Sequence, residues 1–151
     1  MLTFDMNLRG LESQLDNLGT KAMKAARLGA RVGSEIYYQA VLATVPVSKG
    51  LPNNGHWFHG SSYKKSGQKY WFESGSLKAA VYQVFAKDAT PKHPEYQIAW
   101  NHRKVPYGFM VTYGTKKPTK PNKFISRAEA TVHDRAVQAM TAKFKEVMNE
   151  R

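Results

Sequence analysis

The chain has 151 residues, a length that suits one domain. A hydrophobic fraction of 42%, with 3 Trp, 8 Tyr and 7 Phe, can supply a core, which argues against general disorder. The lack of cysteine excludes disulfides, thiolate zinc sites and thiol nucleophiles. The excess of 23 Lys and Arg over 11 Asp and Glu gives a formal net charge of +12, so the candidate partners are nucleic acid or an acidic protein surface.

Residues 8–44 are predicted to form one long amphipathic helix, or two helices in line. Its apolar stripe turns small between Ala22 and Gly33, which predicts that another helix crosses closely there. Gly19 allows a kink, and Pro46 requires the helix to end by Val45. The stripe, at spacings of three and four, consists of Leu11, Leu15, Leu18, Ala22, Ala25, Gly29, Val32 and Ile36.

Residues 46–76 are predicted to be an irregular, aromatic-rich loop or insertion, because turn-forming Pro, Gly, Asn and Ser recur throughout. Trp57, Phe58 and Trp71 lie within it, so we expect part of this segment to pack on its own domain or on a neighbouring subunit. A functional role for so long a loop is typical, and these three aromatics are candidate interface residues.

Residues 77–114 are predicted to form a three-stranded antiparallel sheet. Segment 77–86 is rich in β-formers, and alternating patterns follow at 96–101 and 107–113. The short links favour a meander. A basic, proline-rich arm at 115–123 precedes a second helix over 124–150, which is expected to pack on the sheet. The predicted fold is therefore a single α+β domain spanning residues 1–151.

The sequence offers only weak candidates for catalysis or metal binding. His56 and His59, with His93 or His102, have suitable side chains for a metal, but no carboxylate accompanies them. No nucleophile elbow, phosphate loop or dinucleotide fingerprint is present. We therefore expect no catalytic residue, no metal, no cofactor and no small-molecule substrate.

Two basic clusters point to charged partners. Lys21, Lys24, Arg27 and Arg31 share one face of the first helix, without an acid between them. The second cluster lies on the arm and consists of Lys116, Lys117, Lys120, Lys123 and Arg127. Each could contact DNA or an acidic neighbour, and the first could equally be a solvated helix face.

Four segments, in order, resemble a family of bacteriophage tail components, the tail-completion or head–tail joining proteins of lambdoid long-tailed phages. They are 45–50 (VPVSKG), 74–81 (SGSLKAAV), 107–115 (YGFMVTYGT) and 121–128 (PNKFISRA). The structural landmarks within or beside them are Pro46, Gly75, Leu77, Tyr113, Gly114 and Phe124. Departures from the family pattern are the insertion at 51–73, Thr112 in place of Glu and Lys123 in place of Pro.

The resemblance implies a structural virion protein that assembles into a ring and helps to join or finish the tail at the neck. Its expected partners are further copies of itself, neighbouring neck and tail proteins, and DNA passing through the lumen. Its expected location is the virion, and the host cytoplasm during assembly. No contact with a membrane is expected, because no apolar run approaches the ~20 residues of a span and the start of the chain lacks a signal-peptide pattern.

Two other readings remain open from the residues. A basic nucleic-acid-binding module is suggested by the net charge and by the aromatics near Lys64, Lys65 and Lys69, which could stack on bases. A small hydrolytic enzyme is the other reading, which lacks a convergent catalytic set.

Overall fold

The computed structural model of the protein describes residues 8–48, 55–60, 63–115 and 120–150. Its architecture is α+β, with a long helix at the start of the chain and another at its end, as the sequence predicts. The elements are α1 (Leu8–Thr44), β1 (Gly55–His59), α2 (Tyr63–Ser66), β2 (Lys69–Glu73), α3 (Ser76–Ala79), β3 (Val81–Phe85), β4 (Tyr96–Trp100), α4 (Gly108–Tyr113) and α5 (Phe124–Asn149). Among these described residues, no helix is long and apolar enough to cross a membrane.

Helices α1 and α5 pack side by side in antiparallel orientation. The hydroxyl of Thr44, at the end of α1, lies 3.3 Å from the carbonyl oxygen of Phe124, at the start of α5. Further along, the Tyr37 hydroxyl lies 2.9 Å from Nδ1 of His133. The buried residues of α5 recur mostly at intervals of four, as expected for one helix face: Phe124, Ala128, Val132, Ala136 and Val147.

The small residues of α1 lie where α5 approaches most closely. A β-carbon built on Gly29 would lie 3.0 Å from the carbonyl oxygen of Met140, and one built on Gly33 would collide with the Met140 side chain. Only glycine leaves room for this approach. The predicted close helix crossing is therefore confirmed, and its partner is α5.

Helix α1 is longer than its partner, with 37 residues against 26 in α5. The far end of α5 reaches back to Lys21, whose ammonium donates to the carbonyl oxygen of Glu150. Residues 12–20 lie beyond that point and are all exposed. The helix runs without interruption through Gly19, so residues 12–20, about two and a half turns, project past α5.

The prediction of one three-stranded sheet is wrong, because the strands form two separate antiparallel pairs. Strands β1 and β2 pair with Trp57 opposite Trp71, and β3 and β4 pair with Gln83 opposite Ile98. The first pair lies inside 46–76, which was predicted to be irregular. Short helix α3 opens at Gly75, whose φ is 86°, so β3 begins at Val81 rather than at residue 77.

The predicted third strand, 107–113, is the short helix α4. The Val111 amide donates to the Tyr107 carbonyl at 3.1 Å, and the Gly114 amide donates to the Met110 carbonyl at 2.8 Å. The alternating pattern of 107–113 includes residues four positions apart, so it fits a helical turn as well as a strand. Six residues are too few to distinguish the two kinds of element. Gly108 faces the Trp100 indole so closely that a β-carbon would collide with it, and this packing favours the helix.

The C-terminal helix packs chiefly along α1 rather than on a sheet, which corrects the expected layering. Its first residue touches β4, since the rings of Phe124 and Trp100 lie 6.0 Å apart. The main core gathers around the end of α1, with members from α3, β3 and α5: Val41, Val45, Leu77, Ala80, Val81, Val105, Phe124 and Ala128. The landmarks Leu77 and Phe124 thus belong to the core.

Candidate interaction surfaces

The projecting part of α1, residues 12–20, is called the helix tip below. Leu15 and Leu18 are 57% and 52% exposed on it, although the sequence placed both in a buried stripe. They lie three residues apart and so share one face of the helix. Glu12 and Asp16 are exposed on the same stretch of helix, and no basic residue occurs between them and Lys21. The tip is therefore an apolar and acidic surface on a basic protein.

The basic helix face follows directly along α1. Lys21 caps the end of α5 through Glu150, and Arg31 is exposed. The guanidinium of Arg27 lies 4.9 Å from the centroid of the Phe85 ring on β3, a distance at which the cation is attracted to the ring. Two of the four predicted basic residues therefore contact other elements, and Lys24 is exposed.

Beside this face lies an apolar depression of about 380 Å³, called the basic groove. Lys24 and Arg27 form part of its rim. Its other lining residues come from α1, from β3 and from the link between β3 and β4: Met23, Phe85, Ala89, Thr90, Pro91 and Pro94. The only ion pair among the residues that the structure describes joins Lys143 to Glu146, so the cations of the groove have no carboxylate partner there.

The β1–β2 hairpin presents aromatic rings on both faces. On the outer face, the rings of Trp57 and Trp71 meet edge to face at 5.3 Å. The Lys69 ammonium lies 4.5 Å from the Trp57 ring centroid. Trp57 is half exposed, so this face suits a protein partner. Lys64 and Lys65 are exposed on the neighbouring α2.

The inner face of the hairpin attaches it to the rest of the chain through Tyr107. His56 meets the Tyr107 ring edge to face at 4.4 Å, and Phe72 does so at 4.9 Å. Phe58 lies 6.3 Å from the same ring. Of the aromatic interface candidates, Trp57 and Trp71 therefore share the outer face, while Phe58 contributes to internal packing.

A cavity of about 270 Å³ lies at this junction. It brings together three landmarks that are distant in sequence, Pro46, Gly75 and Leu77, with His56 and Tyr107. Burial lowers the pKa of His56 and raises the pKa of Tyr107, while a backbone hydrogen bond with Leu77 acts in the opposite direction on the tyrosine. Apolar surroundings disfavour the charged form of each ring.

Two buried nitrogen atoms near this junction have no hydrogen-bond partner among the described residues, His56 Nδ1 and Trp100 Nε1. An unpaired buried donor or acceptor costs about 1–3 kcal/mol. The histidines do not converge with other ligands, since the described part of the chain holds no group of three His, Cys, Asp or Glu side chains able to bind a metal.

Helix α4 carries a further exposed apolar face. Phe109 is 61% exposed and Tyr113 is 59% exposed, and their rings lie 4.7 Å apart. Met110 is exposed beside them. The landmark Tyr113 therefore points outward, whereas Thr112 is buried and donates to the Gly108 carbonyl at 2.9 Å. Gly114 ends the helix with φ 78° and ψ 178°.

The basic arm is described only in part. Lys116 and Lys117 lie outside the described residues. Lys120 and Lys123 are exposed, and the Asn122 amide donates to the Val111 carbonyl at 2.8 Å, which ties the end of the arm to α4. Arg127 donates to the Asn122 side chain.

Sequence reasoning missed the exposed leucines of the helix tip and the outward rings Phe109 and Tyr113. The signal for the first was the difference in length between the two predicted helices, which leaves part of α1 without a partner. The signal for the second was the spacing of four between the two rings.

Comparison with family models, with curated proteins and with solved structures found no match to this chain.

Proposed function

We propose that the protein is a structural subunit of a bacteriophage virion that assembles with copies of itself into a ring and helps to join or finish the tail at the neck. The proposal is carried by one observation: large apolar side chains lie outside the core on unlike surfaces at separate places. Leu15 and Leu18 lie at one end of α1, and Trp57 and Phe109 lie on elements around its other end.

The distance between these surfaces supports assembly through unlike contacts. At 1.5 Å per residue, about 45 Å of helix separates Leu15 from Val45. Monomeric proteins seldom expose contiguous apolar patches without a partner. A patch that meets an unlike surface on the next copy gives a head-to-tail interface, which produces a ring when the rotation closes.

The residues that carry the phage resemblance have structural roles in this protein. These roles support the view that the resemblance extends to the fold. Gly75 and Gly114 have positive φ values of 86° and 78°. Leu77 and Phe124 are buried in the main core. Conformation and packing of this kind restrict which residue types fit.

Light scattering on the purified protein, with and without short duplex DNA, tests the proposal. The expected result is a closed oligomer of uniform mass, either alone or after addition of other neck proteins, that does not depend on DNA. A protein that remains monomeric with neck proteins present, and that binds short duplex DNA with an affinity falling steeply as salt rises, contradicts the proposal and favours a nucleic-acid-binding module.

A further inference from the structure

We infer that the helix tip of one subunit docks into the basic groove of the next copy, and that this contact forms the ring interface. The inference rests on the proposed function, because it names the surfaces through which the ring assembles. It follows from the arrangement of charge and apolar surface along α1.

Two consecutive segments of α1 carry opposite charge. Residues 12–20 contain Glu12 and Asp16 and no base, whereas residues 21–31 contain four bases and no acid. In a chain with a net charge of +12, this tip is the part of α1 that a second copy of the basic face would attract. Complementary charge across an interface guides the encounter and fixes the register of the partners.

The apolar parts of the two surfaces also match. The tip projects Leu15 and Leu18, and the exposed carboxylates of Glu12 and Asp16 lie on the same stretch of helix. The groove offers an apolar depression of about 380 Å³, with Lys24 and Arg27 at its rim. Burying the leucines in this depression removes apolar area from water and brings the acids beside cations that have no carboxylate partner among the described residues.

The tip cannot reach the groove of its own chain. Both belong to one uninterrupted helix, Leu8–Thr44, and Asp16 lies about 12–17 Å along the axis from Lys24 and Arg27. A straight helix keeps them apart. The occupant of the groove is therefore a tip from a second copy, and each docked subunit leaves its own groove open for another.

Two charge-reversal variants test the inference. Variant one, Glu12→Lys/Asp16→Lys, has a basic tip and a basic groove. Variant two, Lys24→Glu/Arg27→Glu, has an acidic tip and an acidic groove. Each alone should need at least about tenfold more protein for half-assembly than the parent chain, because like charges meet at every contact.

An equimolar mixture of the two variants should assemble as the parent chain does, since each tip then meets a groove of opposite charge. The chain that carries all four substitutions should assemble on its own for the same reason. A variant that had merely failed to fold would not be rescued in the mixture, and thermal unfolding of each variant checks this directly.

Matched controls reverse equal charge at exposed positions of α5. Glu129→Lys/Asp134→Lys accompanies variant one, and Arg135→Glu/Lys145→Glu accompanies variant two, and both should assemble normally. If the parent chain forms rings that neither variant weakens, the inference is overturned while the proposed function stands. If the parent chain remains monomeric at millimolar concentration and low salt, the inference is overturned as well, and ring formation with added neck proteins then decides the proposed function separately.

Discussion

The Met140 side chain on α5 occupies the space that a β-carbon on Gly33 of α1 would need. The two longest helices therefore meet at a point where one of them has no side chain. Close packing of this kind transmits any added volume directly to the neighbouring helix.

Replacing Gly33 with alanine should lower the free energy of unfolding by about 1–3 kcal/mol, because the added methyl group forces Met140 to move. The cost should shrink in a Met140→Ala background, where the clash is gone, and urea unfolding of the four chains of this cycle measures the coupling. Gly19→Ala is the control. That position has no neighbour within 4 Å, so alanine should stabilise the protein by about 0.5–1 kcal/mol. Equal effects at the two glycines would contradict the packing account.

Replacing Gly114 with alanine should destabilise the protein by about 1–3 kcal/mol, since its φ of 78° with ψ of 178° is a conformation that side chains strongly disfavour. Asparagine should not relieve this strain. At Gly75, where φ is 86° and ψ is −3°, asparagine should be milder than alanine, because Asn tolerates the left-handed helical region. Thermal unfolding of the four variants distinguishes the two sites, and a stable Gly114→Ala protein would be the contrary result.

Removing the exposed rings of α4 should weaken association without weakening the fold. Phe109→Ser/Tyr113→Ser should change the free energy of unfolding by no more than about 0.5 kcal/mol, as is usual at exposed positions. Phe124→Ala, which empties a fully buried site, should cost about 3–5 kcal/mol. Sedimentation of the double variant, alone and with neck proteins, measures assembly. Large destabilisation by the double variant would show that these rings belong to the core.

The stability of the junction around His56 should fall in mild acid. Burial lowers the pKa of His56 below the 6.5 of the unfolded chain, so the unfolded state takes up the proton first. The stabilisation is complete above pH 6.5 and is lost as the pH falls towards the lowered pKa. His56→Gln should reduce this loss, whereas His102→Gln, at an exposed position, should leave it unchanged. Urea unfolding between about pH 8 and pH 5 gives the comparison, and identical acid profiles for all three chains would refute the assignment.

The two long helices were predictable almost to the residue, because an apolar stripe repeated over many turns leaves little ambiguity. The sequence prediction of 8–44 matches α1, and 124–150 exceeds α5 by one residue. Gly114 has a positive φ, a conformation that glycine adopts without steric cost. These features depend on local pattern and backbone sterics alone.

The sheet was not predictable in the same way. Residues 107–113 satisfy strand and helix periodicity at once, and the close packing of Gly108 against Trp100 decides between them. The segments that contain Trp100 and Gly108 come into contact only when the chain folds. The β1–β2 hairpin was missed because turn-forming residues recur around its strands throughout 46–76, while the pairing of Trp57 with Trp71 depends on register between two short strands.

The most direct test of head-to-tail assembly is electron microscopy of the purified oligomer, or of the oligomer formed with neck proteins, followed by classification of single particles. The expected result is closed rings with rotational symmetry, in which every subunit contacts its two neighbours through different surfaces. Dimers related by a two-fold axis, with the same surface on both sides of the contact, would contradict it.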